Sequence, residues 1–160
     1  MSKLIIGWFT FTCCEDSTIL MTELLNTHWQ DWLKHLDFKY AKVFRKSPPL
    51  GPMDVAFIEG AISSKKQEEK LKQIRKLAKI VVAIGSCAVT GQPSSQRNQF
   101  DPKQQAEIKF ILERFDYAEK VQIPADIVTV NHSISGCPMN EQQFIDYINQ
   151  LILATNTKKS

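Results

Sequence analysis

The sequence predicts a doubly wound α/β domain, in which a parallel sheet is covered by helices on both faces and the crossovers are right-handed. Short apolar runs typical of strands alternate with longer segments of helical periodicity along the chain. Residues 79–83 are almost continuously apolar, as expected for a central strand of a parallel sheet. The 160 residues are 43% hydrophobic and 23% charged, which is ordinary for one soluble domain. We therefore expect a single domain over residues 1–154 and a disordered tail over 155–160.

The individual elements follow from periodicity, caps and helix-breaking residues. In the predicted helices apolar side chains recur every three or four residues, and Asp16 or Ser17 is placed to cap the first helix. Prolines and a glycine mark 46–52 as a loop, and the polar segment 91–100 is of a length that is usually functional or mobile. In chain order we expect strand 4–9, helix 17–36, strand 38–44, strand 54–60, helix 65–78, strand 79–83, helix 102–115, strand 127–130 and helix 140–153.

The cysteines all follow predicted strands. Cys13 and Cys14 come after the first strand, Cys87 after strand 79–83 and Cys137 after the last strand, and we expect none of them inside a helix or strand. In a parallel sheet such loops share the carboxyl edge, where ligands bind. Four thiols would then meet at one place, which is the ligand count of a cubane iron–sulfur cluster.

Other interpretations of the cysteines fit the pattern less well. Zinc sites usually offer closely spaced C-x-x-C pairs, whereas these ligands come from distant loops and include one adjacent pair. For catalytic cysteine chemistry only His28, His35 and His132 are available as a base, and the first two lie away from the start of their helix.

Charge and hydropathy limit the partners and the compartment. A net charge of +3 is too small to indicate nucleic acid or a membrane surface. No apolar run approaches the roughly 20 residues of a transmembrane segment, and the first one is too short for a signal peptide. We therefore expect a cytoplasmic protein, and in a reducing compartment clustered cysteines favour metal ligation over disulfides.

Three motifs together resemble a known family. They are Asp-Val-Ala-Phe-Ile-Glu-Gly-Ala-Ile at 54–62, Ile-Gly-Ser-Cys-Ala-Val-Thr-Gly at 84–91 and Gly-Cys-Pro at 136–138. They look like the small subunit of NiFe hydrogenases and the related tandem-cysteine iron–sulfur subunit of respiratory complex I. The resemblance covers nearly the whole chain and implies a flavodoxin-like fold with one [4Fe–4S] cluster. It resembles the short, single-cluster form of soluble multi-subunit hydrogenases.

The cysteine pair departs from the hydrogenase pattern, which generally has C-x-x-C after the first strand. Phe11 or Ser17 stands where the other cysteine of that motif would be, depending on the register. The tandem register of the complex I branch uses Cys13 and Cys14, and with Cys87 and Cys137 it supplies four thiolates, which clusters prefer over a hydroxyl. In the other register Ser17 replaces one thiol.

Three carboxylates accompany the cysteines, and one of them, Asp16, is a helix-start charge favoured by the helix dipole. Glu15 is a candidate proton carrier that faces a partner beside the cluster, and the alternative is a simple helix-start charge favoured by the helix dipole. Glu59 ends a predicted strand at the same edge of the sheet, and its simplest role is to accept hydrogen bonds from loop amides.

These observations lead to one main hypothesis and two alternatives. The main hypothesis is a non-catalytic electron-transfer subunit with one [4Fe–4S] cluster, in a complex with a large NiFe or NiFe-like subunit and further iron–sulfur or flavin subunits. The first alternative is a complex I-type subunit acting next to a quinone or ferredoxin site. The second is a flavodoxin-like binding domain with a structural metal.

Overall fold

The computed structural model describes residues 3–44 and 48–157, without the side chains of 156 and 157. The strands are Leu4–Thr10 (β1), Leu36–Ala41 (β2), Met53–Glu59 (β3), Ala78–Ile84 (β4) and His132–Ile134 (β5). The helices are Asp16–His35 (α1), Lys65–Leu77 (α2), Gly85–Val89 (α3), Pro102–Arg114 (α4) and Glu141–Thr157 (α5). Short 3-10 turns cover Gln96–Gln99 and Pro124–Asp126.

Within the described residues one sheet has the order β2-β1-β3-β4-β5, and all of its strand pairs are parallel. The chain runs outward from β1 to β2 and then returns to the other side of β1 with β3. This is a flavodoxin-like, doubly wound arrangement, which confirms the predicted fold class. Its topological switch point lies between β1 and β3, and the carboxyl end of β1 leads directly to Cys13.

Alternate residues of the central strands point to two separate cores. On one face Trp8 and Phe57 pack with side chains of α1 and α5, where Phe144 makes edge-to-face contacts with Trp8, Trp32 and Phe57. On the other face Phe9 and other strand residues pack on α2. Helices therefore cover both faces of the sheet, while its carboxyl edge stays free for the segments that carry cysteines.

The predicted last strand is wrong by several residues. The apolar residues of 127–130 are not a strand, because Ile127, Val128 and Val130 pack as partly buried side chains on the α2-face core. Pairing starts at Asn131, whose backbone N–H donates to the Val81 carbonyl and whose side-chain oxygen accepts from the Val81 N–H, both at 2.8 Å. The strand β5 begins only after this residue.

The start of the first helix and the end of the last also differ from the predictions. Neither Asp16 nor Ser17 caps α1, because the cap residue is Glu15 in a left-handed conformation without a side-chain cap. The helix α5 continues to Thr157 and so includes residues 155–157 of the expected tail, while 158–160 lie outside the described residues. The predicted loop 46–52 is described only from residue 48 onward. None of the described helices is long and apolar enough to cross a membrane.

Candidate metal centre

The four cysteines line one small cavity at the carboxyl edge of the sheet. Cys13 and Cys14 follow β1, and Cys137 follows β5. Cys87 lies within α3 and not in a loop, because Gly85 adopts a positive φ of 79° and turns the chain from β4 directly into this short helix. The convergence expected from the parallel topology is present, and the role of these thiols as ligands stays a prediction. The other lining residues are Asp16, Ser17, Glu59, Ile84, Gly85, Ser86, Gly136 and Pro138.

The four thiols differ in their burial. Cys87 is buried and Cys13 is half-buried, whereas Cys14 and Cys137 are exposed. At the exposed side a carboxylate oxygen of Asp16 and the sulfurs of Cys14 and Cys137 lie within 4.8 Å of one another. The sequence pattern identified Asp16 only as a helix-start residue, so this proximity was missed. The mouth of the cavity therefore faces outward, with two thiols on its rim.

The loop that carries Cys13 and Cys14 is fixed by backbone pairing. Thr12 exchanges backbone hydrogen bonds with Ala61, at 3.0 and 2.9 Å, in the segment that follows β3. Gly60 permits this approach with a φ of 93°, since a Cβ there would lie 2.9 Å from the Thr12 nitrogen. The cysteine pair therefore starts from a rigid point of the sheet edge.

The other two cysteines are tied to each other through their backbones. The Ser86 N–H donates to the Gly136 carbonyl at 2.7 Å, which joins the start of α3 to the turn of Cys137. Gly136 has a φ of 123°, and a Cβ at this position would meet the Pro138 carbonyl oxygen at 2.4 Å. Only glycine fits this turn, which holds the segment of Cys137 against the start of α3.

Glu59 is a buried residue of the cavity lining. Its buried carboxylate accepts a hydrogen bond from the Ser17 N–H at 2.9 Å and another from the Thr18 hydroxyl, which itself accepts from Trp8 Nε1. Burial raises the pKa of Glu59, and the hydrogen bonds from Thr18 and Ser17 oppose that rise. The carboxylate thus joins the end of β3 to the first turn of α1, directly after the cysteine pair.

The hydroxyl oxygen of Ser17 contacts the segment that follows Cys137. The side chain is buried, and its Oγ accepts a hydrogen bond from the Met139 N–H at 3.1 Å. The hydroxyl therefore holds the segment after Cys137 against α1. This contact gives Ser17 a structural role in the described chain, and the register of the cluster ligands stays a prediction.

The donor set fits a cluster that takes thiolate ligands. Burial, together with the nearby carboxylate of Glu59, raises the pKa of the Cys13 thiol to about 12, so this thiol is protonated at neutral pH in the metal-free chain. A bound metal would displace that proton, because the thiolate is the ligand. Four sulfur donors from one cavity match the ligands of a cubane cluster in number and softness.

Glu15 is exposed and lies beside the cysteine pair, outside the small cavity. It borders a second cavity of about 640 Å³ at the same edge, lined also by Trp8, Tyr40, Lys42 and Lys70 among others. Its backbone has a φ of 65°, and its carbonyl accepts the first hydrogen bond of α1 from Ile19 at 3.1 Å. Its role as a proton carrier stays a prediction.

We expect Glu15→Gly to keep or raise the free energy of unfolding, and Glu15→Val to lower it by about 1–2 kcal/mol. The reason is the left-handed backbone at this residue, which glycine adopts freely and a β-branched residue does not. Urea unfolding followed by tryptophan fluorescence would measure both variants. Equal stability of the glycine and valine variants would show that the backbone at residue 15 is not strained.

The segment 91–100 is anchored to its own chain. Arg97 donates from its guanidinium to the carbonyls of Ala118, at 2.6 Å, and Ser63, at 3.3 Å. The side-chain amide of Asn98 pairs with both backbone groups of Val121, at 2.7 and 2.8 Å. These bonds argue against the mobile interpretation of this segment, and a functional role for it stays a prediction.

Fold and site together define a class: a flavodoxin-like domain that presents four cysteine thiols at the carboxyl edge of its sheet. The chain belongs to the family described as NADH ubiquinone oxidoreductase, 20 Kd subunit, whose model matches residues 13–151. This confirms the resemblance to NiFe hydrogenase small subunits and the complex I cluster subunit.

Individual relatives include components of hydrogenases. The chain is 27% identical over 124 residues to one component of the F420-non-reducing hydrogenase of Methanothermobacter thermautotrophicus, covering 68% of this chain and 40% of that protein. It is 25% identical over 114 residues to the delta subunit of the NAD-reducing hydrogenase HoxS of Cupriavidus necator, covering 61% and 54%. The chain thus matches less than half the length of the first of these relatives and little more than half of the second.

Solved structures show the same fold at low identity. A chain of an NAD+-reducing [NiFe]-hydrogenase in the H2-reduced state superposes with a TM-score of 0.82 at 21% identity, covering 96% of this chain and 93% of that one. A Ni-Fe-Se hydrogenase chain of Desulfomicrobium baculatum gives a TM-score of 0.60 at 12% identity, covering 91% and 60%.

Proposed function

We propose that this chain is the small electron-transfer subunit of a NiFe hydrogenase-like oxidoreductase complex, and that Cys13, Cys14, Cys87 and Cys137 hold one [4Fe–4S] cluster. The observation that carries the proposal is the cavity lined by all four thiols in a member of this family. When bound, such a cluster takes up and gives off single electrons. The chain itself supplies the ligands and a rigid frame for them, and hydrogen activation belongs to a larger partner.

The tandem register is supported by what the neighbouring oxygens do. The Ser17 hydroxyl already accepts from Met139, and Asp16 offers a hard carboxylate where soft thiolates are available. Cys13 and Cys87 would hold the inner side of the cluster, and Cys14 and Cys137 would hold the side at the open mouth.

A partner at the mouth of the cavity is part of the proposal. Two ligands on an exposed rim would leave a cluster open to water and oxygen unless another subunit covers it. Two relatives are named as hydrogenase components, and on that basis we propose a large NiFe or NiFe-like subunit there, with further iron–sulfur or flavin subunits as the next electron carriers, in a cytoplasmic complex. A permanent assembly of this kind buries more than about 2,000 Å² in total.

Purification of the tagged chain from its native host tests this proposal. We expect a large subunit to co-purify in equal amounts, with nickel in the complex. Hydrogen gas should chemically reduce the iron–sulfur cluster. A stable, monodisperse monomer without a partner would contradict the proposed role.

A complex I-type subunit is the second candidate, because the matching family model carries that description. In that case the co-purifying large subunit lacks nickel, hydrogen leaves the cluster oxidised, and a quinol or ferredoxin reduces it. A structural metal site is the third possibility, and it predicts zinc in place of iron and sulfide.

A further inference from the structure

The hydroxyl of Ser94 lies beside one of the four cysteines. Its Oγ is 3.2 Å from the sulfur of Cys87 and 3.0 Å from the carbonyl oxygen of Thr12. Cys87 belongs to α3, and Thr12 directly precedes the cysteine pair. One side chain therefore touches both halves of the candidate metal centre, although it lies outside the cavity lining.

The segment around Ser94 is built to hold this position. The neighbouring Ser95 N–H donates to the Gly91 carbonyl at 2.7 Å, which closes the turn that contains Ser94. Further along, Arg97 and Asn98 fasten the segment to residues 118–121 as described above. The approach of the hydroxyl to sulfur is therefore a feature of the folded segment.

A serine hydroxyl has one proton, and here it has two acceptors. A carbonyl oxygen is a better acceptor than a neutral thiol, so in the metal-free chain the Ser94 hydroxyl donates its hydrogen bond to the Thr12 carbonyl oxygen. A thiolate is a charged acceptor and draws hydrogen bonds more strongly. Ligation of Cys87 would therefore turn the hydroxyl toward sulfur.

We propose that Ser94 donates a hydrogen bond to the ligating sulfur of Cys87 and thereby raises the reduction potential of the bound cluster. This inference rests on the proposed function. Hydrogen bonds to cluster sulfurs stabilise the reduced state, which carries one more negative charge, and so favour reduction. Ser94 is a positioning residue in this account, since it acts through Cys87.

A redox titration followed by EPR on the purified complex tests the proposal. We expect Ser94→Ala to keep the cluster and to lower the reduction equilibrium constant roughly tenfold, which is about 59 mV for one electron. Ser95→Ala is the matched control, because its hydroxyl accepts only from Gln92 among the described contacts. That control should leave the potential unchanged.

The outcomes separate this inference from the function on which it rests. An unchanged potential in Ser94→Ala, with a normal cluster in the parent, would overturn the role of Ser94 alone. A parent without iron and sulfide would overturn the proposed function as well. If the alanine variant loses its cluster, the comparison is made between Ser94→Thr and Ser94→Val, which are matched in volume. A lower reduction potential in the valine variant than in the threonine variant supports the proposal. Equal potentials in the two variants overturn it.

Discussion

Replacing any one of Cys13, Cys14, Cys87 or Cys137 by alanine is expected to abolish assembly of the intact cluster, whereas Ser17→Ala should retain it. Each thiol lines the same cavity, and the Ser17 hydroxyl is engaged with the Met139 N–H. Because a cubane cluster takes four thiolates, the loss of one leaves an iron without its protein ligand. Iron and sulfide content per chain, together with the EPR signal of the reduced protein, measures the effect.

The Ser17 variant serves as the control for this series. It changes a residue of the same cavity without removing sulfur, and it costs about 1–3 kcal/mol because the buried Met139 N–H loses its acceptor. A full four-iron cluster in Cys13→Ala, together with its loss in Ser17→Ala, would show that the other register is used.

The second large effect is expected from Glu59→Leu, which should lower the free energy of unfolding by about 2–4 kcal/mol. Leucine removes the acceptor for the Ser17 N–H and the Thr18 hydroxyl, both of which are buried. Each buried donor left without a partner costs about 1–3 kcal/mol, and relief of the desolvation of Glu59 offsets part of that loss. Urea unfolding of the purified chain, followed by tryptophan fluorescence, measures the change.

Glu59→Gln is the matched control for this variant. Its amide oxygen still accepts one of the two hydrogen bonds, so we expect a loss of less than about 1.5 kcal/mol. If the leucine variant proves as stable as the glutamine variant, the carboxylate does not hold β3 to α1 in the way described.

The sheet and the meeting of the cysteines could be predicted because both follow from repeated signals. Apolar runs alternate with helical periodicity over the whole chain, and a parallel sheet brings all of its carboxyl ends to one edge. This topology alone places the four cysteines at one edge, so no knowledge of side-chain positions is needed to predict that they meet. They are Cys13, Cys14, Cys87 and Cys137.

The last strand could not be predicted because its signal is too small. Three residues, His132–Ile134, carry no readable alternation, and their pairing starts from the contacts of Asn131 with Val81. The apolar run before them is explained by packing on the α2-face core. Hydrophobic periodicity alone does not distinguish an apolar run that forms a strand from an apolar run that packs on a core without joining the sheet.

Details of the site depend on contacts between distant segments. The approach of Ser94 to Cys87 depends on how segment 91–100 folds back over the sheet edge, and no local pattern encodes it. The left-handed backbone at Glu15 also cannot be predicted from the sequence, since glycine is the usual signal for that conformation. The sequence indicates a loop at Cys87 because a helix of five residues, Gly85–Val89, is too short to show periodicity.

We propose that the thiols of Cys13, Cys14, Cys87 and Cys137 hold one [4Fe–4S] cluster. The most direct test of this proposal is a quantitative analysis of iron and acid-labile sulfide in the anaerobically purified protein, with EPR of the reduced state. We expect four irons and four sulfides per chain, matching the four-cysteine cavity, and a reduced spectrum typical of one cubane cluster. Zinc without sulfide, or iron at two per chain in fully loaded protein, would contradict the proposal.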